Sequence, residues 1–126
     1  MLALRLLKEK VINTVRAKRG NTIPEAFWAY YNKLPKRIGV TWWRDGELIV
    51  GEVLAEGVAF KTQGKSAKEF VDMVNDSLFA VYEIPIDYFA LLEGNKFHPS
   101  PEGFQKLNDM AIKKSDVNFE RQTATA

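Results

Sequence analysis

The chain has 126 residues, 46% of them hydrophobic and 27% charged, which is enough for one core and too little for two. No apolar run approaches the ~18 residues that a membrane span needs, and Arg5 and Lys8 interrupt the apolar start too early for a secretory leader. The absence of cysteine excludes disulfides and thiolate metal sites, so a cytoplasmic setting is expected.

The formal net charge of +2 hides an uneven distribution. Residues 1–39 hold nine Lys/Arg against two Asp/Glu, residues 40–98 five against ten, and residues 99–126 four against four. A basic arm before an acidic body points either to two different surfaces or to a helix kept soluble by its lysines and arginines.

In chain order, residues 2–19 read as an amphipathic helix, with Leu4, Leu7, Val11 and Val15 on one stripe and Arg5, Lys8, Arg16 and Lys18 outside it. Gly20 can end it. Thr22 and Glu25 then form a capping-box pattern before a short aromatic helix (Phe27, Trp28, Tyr30, Tyr31) that stops at Pro35. Asp45-Gly46 lies between RIGVTWWR and ELIVGEVL, which predicts a hairpin with a type I′ turn. Pairing outward sets Trp43 opposite Leu48, Trp42 opposite Ile49, Val40 opposite Gly51 and Ile38 opposite Val53. Ile38, Val40, Trp42, Ile49, Gly51 and Val53 then share an apolar core face, and the other face carries Trp43, Leu48, Val50 and Glu52.

A third run follows Gly57, with Val58, Phe60 and Thr62 alternating with Ala59, Lys61 and Gln63. Ser66 and Glu69 form a second capping box, and Phe70, Met73, Val74, Leu78 and Val81 mark the stripe of the helix it starts, closed by Pro85. Residues 86–92 read as a short fourth strand or a buried helical piece. Ser100, Pro101 and Glu102 start a last helix reaching about Lys114, and ERQTATA has the composition of a frayed tail. These segments divide the chain into an N-terminal helical arm (1–36), an α/β core (37–93) and a C-terminal helix and tail (94–126).

The stretch TQGKSAKEF, Thr62–Phe70, has some of the residues of a phosphate-binding loop. The Walker pattern needs a glycine five positions before Gly64, where Ala59 stands inside a strand. The stretch is therefore a joint: Gly64 turns the chain, Ser66 caps, Glu69 completes the box. His98 is the only histidine, and neither Asp87 nor Glu93 stands at metal-ligand spacing from it. No G-x-S-x-G is present, so the sequence offers no catalytic residues, no metal ligands and no cofactor site. Trp43, Leu48, Val50 and Glu52 form either a protein-binding patch or a surface covered by the N-terminal helices.

The segment Val50–Leu78, read with the preceding hairpin, resembles the HicB-like antitoxin family. Glu52-Val53 matches its Glu-Val, Gly57-Val58 its Gly-Val, and Thr62-Gln63-Gly64 its Thr-x-Gly. Ser66 takes the cap position, Glu69 an acidic position at the helix start, and Asn75 a position where asparagine is common. The match covers about 45 residues, Ile38 to Val81. Departures are the proline-free loop Leu54–Gly57, a longer helical lead-in, and a C-terminal part that does not read as a DNA-binding helix pair.

The resemblance implies an α+β fold: a three- to four-stranded, mainly antiparallel sheet in β-β-β-α-β order, partial RNase H-like. One helix packs on a face, and helices are added at both ends. It further implies a non-enzymatic, homodimeric antitoxin that binds and neutralises a small basic mRNA-cleaving toxin of the HicA type. The alternatives are an interaction domain with another partner, or a regulator binding DNA or RNA through Arg5, Lys8, Arg16, Lys18 and Arg19.

Overall fold

A computed structural model describes residues 24–121. The elements are α1 (Pro24–Lys33), β1 (Arg37–Asp45), β2 (Leu48–Ala55), β3 (Val58–Gly64), α2 (Ala67–Val81), β4 (Phe97–Pro99), α3 (Pro101–Asn108) and β5 (Lys114–Arg121). The expected helix over 2–19 and the Thr22 cap lie outside the described residues. The fold is α+β: β1–β2–β3–α2–β4 follows the expected order, and α3 and β5 add to it. All neighbouring strands are antiparallel, in the order β3-β2-β1-β5-β4.

Alternation along the hairpin sorts its faces as expected. Ile38, Val40, Trp42, Ile49 and Val53 are buried, and Phe70, Val74 and Leu78 of α2 pack on them. Each such side chain, fully buried, stabilises by about 1.5–3 kcal/mol. Gly51 lies beneath Phe70, whose ring tip comes within 2.4 Å of where a Cβ would stand.

The hairpin register differs from the expected one by two residues. Asp45 pairs with Leu48 inside the ladder, Trp43 with Val50 and Val40 with Val53. The turn residues are thus Gly46 and Glu47, and only Gly46 takes a positive φ, +61°. Glycine at the first central position is the type II′ placement, not type I′. A shift of two keeps every side chain on its face, so the core sorting survives the change.

At the β3–α2 joint, Ser66 Oγ accepts from the Glu69 N–H at 3.1 Å, as a helix cap should. Gly64 is needed for close approach, because a Cβ there would stand 2.5 Å from the Phe70 nitrogen. Helix α2 ends before Pro85 is reached. Ile84 N donates to Phe79 O and Glu83 N to Ala80 O, with Glu83 at φ 55°, the two bonds of a Schellman motif.

Three expectations for the second half are corrected. Residues 86–92 form no strand; they hold a 3-10 turn at Ile86–Tyr88, with another at Glu93–Asn95. Their apolar residues instead build a second core, where Leu34, Phe79, Ile84, Tyr88 and Leu92 meet Phe27, Tyr30 and Tyr31 of the α1 side. The last helix, capped by Ser100 as expected, stops at Asn108 rather than near Lys114, since Asp109 is extended. Finally, residues up to Arg121 are not tail but strand β5, which lies between β1 and β4.

The boundaries expected after residues 36 and 93 do not separate cores. Phe97, Leu107, Val117 and Phe119 share one cluster with Ile38 and Trp42, and Leu34 shares the other with Phe79. The two ends of the described chain also meet. Arg121 N donates to Lys36 O at 3.1 Å. The Arg121 guanidinium donates to Tyr31 O and lies 4.1 Å from the Tyr31 ring centroid. Burial lowers the Arg121 pKa, and Tyr31 acts in the opposite direction.

Candidate protein-binding surface

Strand residues alternate between two faces, and α2 and α3 occupy only one of them. The other face carries Gly39, Thr41 and Trp43 of β1, Leu48, Val50, Glu52 and Leu54 of β2, and Ala59, Lys61 and Gln63 of β3, followed across β1 by the polar residues of β5. The structure therefore brings Trp43, Leu48, Val50 and Glu52 together on one surface. Trp43 and Val50 are direct cross-strand partners, the arrangement in which side chains interact most strongly across a sheet.

Trp43, Leu48 and Val50 are half-buried, and Leu54, two residues beyond Glu52, is 57% exposed. These four make an apolar strip along the hairpin. Its border is acidic: Asp45 and Glu47 at the β1–β2 turn, Glu52 within the strip and Glu56 at the β2–β3 turn are all exposed. Glu52 has Thr41 on one side and Lys61 on the other, and Trp43 has Lys114 beyond it on β5.

At the β2–β3 turn, the Tyr82 hydroxyl donates to Glu56 O at 3.2 Å. Burial, followed by the Glu56 charge, pushes the Tyr82 pKa above its ordinary value of 10.0, so the phenol keeps its proton and remains a donor. Gly57, at φ +74°, permits the turn itself.

Leu54 was recoverable from the sequence, since it continues the alternation Leu48, Val50, Glu52. Lys114, Asp116 and Asn118 had no such signal, because β5 was not recognised as a strand. His98 is exposed on β4 opposite Glu120, whose carboxylate lies 3.4 Å from Arg37. Among the described residues, no three or more His, Asp or Glu side chains gather where they could hold a metal ion, and no helix is long and apolar enough to cross a membrane. Arg5, Lys8, Arg16, Lys18 and Arg19 lie outside the described residues.

Comparison with protein-family models, with curated proteins and with solved structures finds no match to this chain.

Proposed function

We propose that the protein is a non-catalytic, antitoxin-like binder that acts in the cytoplasm and neutralises a small basic mRNA-cleaving toxin of the HicA type. The observation that supports this reading is the strip of Trp43, Val50, Leu48 and Leu54 on the sheet face opposite α2 and α3, bordered by exposed carboxylates. An aromatic anchor among aliphatic side chains supplies contact energy, and the acidic border speeds encounter with a basic partner and orients it. The resemblance over Ile38–Val81 supplies the identity of that partner, and dimerisation comes with the same reading.

The test is co-purification with a small basic protein encoded beside this one, followed by inhibition of that protein's mRNA cleavage. The wild-type chain should retain and inhibit it, whereas the double variant Trp43→Glu, Val50→Glu should lose at least tenfold in affinity while keeping its circular dichroism. Equal binding by the double variant would remove the surface from consideration, and absence of any such neighbour would remove the antitoxin reading.

A further inference from the structure

A second surface lies at the β5–β4 edge of the sheet. Arg44 N donates to Lys113 O and Arg121 N to Lys36 O. In an antiparallel ladder the hydrogen-bonded pairs recur every second residue, so the odd-numbered residues of β5 turn their backbone groups toward β1. The even-numbered ones turn to the opposite edge. There β4 is only three residues long and its pairing reaches no further than Pro99 opposite Phe119. The Asp116 and Asn118 N–H groups thus face away from β1 past the end of β4, where no backbone group among the described residues accepts from them, and the Asp116 C=O is met only by the Ser115 hydroxyl, at 3.4 Å.

The chain leaves the sheet at Ser100 to begin α3, and Gly103 packs so closely on Val117 that a Cβ would stand 2.4 Å from its methyl. What remains between the β5 edge and the first turns of α3 is a groove of about 520 Å³. Its volume is in the range of ligand clefts, ~300–1,000 Å³. Three carboxylates line it (Glu102, Asp116 and Glu120, the last 3.4 Å from Arg37), against one lysine, Lys106, and His98.

We propose that this groove binds an extended cationic peptide segment of a partner protein, which continues the line of β4 as an added strand along β5. Backbone bonds to Asp116 and Asn118 supply the register, since an unpaired strand edge is a template for strand addition. Cross-strand neighbours share a face, so a lysine or arginine opposite Asp116 lies beside its carboxylate on the sheet face away from α3, while the residues before and after it in the peptide turn toward Glu102. The site is separate from the Trp43–Val50 strip and stands whether or not that strip binds a toxin.

The experiment uses the full 15N-labelled chain titrated with the peptide acetyl-Val-Lys-Val-Lys-Val-amide, with its glutamate counterpart, and with the lysine peptide N-methylated at alternate residues. The lysine peptide should shift the Asp116 and Asn118 amides and slow their hydrogen exchange; the glutamate and N-methylated peptides should not. Asp116→Asn should weaken binding about two- to fivefold, the size of one exposed ion pair, with an unchanged melting temperature. Val50→Gln, which breaks the apolar strip without adding charge, should leave the titration unaltered. Unperturbed Asp116 and Asn118 amides at millimolar lysine peptide would overturn the proposal, as would an equal response to the glutamate peptide. So would protection of those amides that rises with protein concentration as the mass doubles, because the edge would then be closed by a second copy.

Discussion

The side chain of Asn75 bonds to both backbone groups of Phe97: Nδ2 donates to Phe97 O at 2.8 Å, and Oδ1 accepts from Phe97 N at 2.7 Å. A carboxamide presents the same donor and acceptor pair as a peptide unit, so one α2 residue stands in for a neighbouring strand at the start of β4. Asn75 is only 2% exposed and its Nδ2 also reaches Val71 O at 3.1 Å.

Asn75→Ala leaves a buried N–H and a buried C=O of Phe97 without partners. At about 1–3 kcal/mol per orphaned group, the variant should lose roughly 2–5 kcal/mol. Urea unfolding measures the loss, and faster hydrogen exchange at Phe97 locates it. A change below about 1 kcal/mol would mean that β4 is held by its pairing with β5 alone.

Arg44 holds the segment that leads from α3 to β5. Its guanidinium donates to Leu107 O at 2.7 Å, Asp109 O at 2.8 Å and Ile112 O at 2.8 Å, and it lies 5.3 Å from the Trp42 ring centroid. Lysine cannot reproduce a planar fork reaching three carbonyls. Arg44→Lys should therefore cost about 1.5–3 kcal/mol, nearly as much as Arg44→Ala, with exchange rising first over residues 109–113.

Thr62 is buried on β3, and its Oγ1 has no hydrogen-bond partner among the described residues. Thr62→Val replaces that hydroxyl by a methyl group of similar shape and removes its desolvation cost. A stabilisation of about 1 kcal/mol is expected, read as a raised urea midpoint with an unchanged m-value.

Glu83 occupies the left-handed position of the α2 Schellman motif at φ 55°, where a side chain costs about 1–2 kcal/mol. Glycine relieves that cost and returns part of it through a freer unfolded chain. Glu83→Gly should raise stability by about 0.5–1 kcal/mol, which thermal unfolding would show as a melting temperature a few degrees higher.

The first half of the fold was legible because its signals are local. Ser66 and Ser100 cap because an exposed helix N-terminus needs an acceptor, and the hairpin faces follow from strict alternation of Ile38, Val40 and Trp42 with Gly39, Thr41 and Trp43. Strand β5 was illegible for the opposite reason. In KSDVNFER only Val117 and Phe119 are apolar, and its outward residues Lys114, Asp116, Asn118 and Glu120 are all polar. Its strand identity comes from pairing with β1, a contact distant in sequence. IDYFALL misled in the reverse direction, since its apolar run serves an aromatic cluster with α1. Of the surface strip, Trp43, Leu48, Val50 and Glu52 could be placed on one face from their alternation alone. The β5 edge groove could not, because it exists only once β4 and β5 are neighbours.

The position of β5 also sets when the molecule can be completed. During translation the β1–β2–β3 meander and α2 emerge first and can fold from near-neighbour contacts, but the β1 flank that Val117 and Phe119 will cover stays bare until the last described strand has been made. Every nascent or truncated chain that stops before Lys114 therefore carries an open strand beside an unfinished core. Such fragments should be the natural prey of chaperones and proteases, so that only a full-length product persists in the cell.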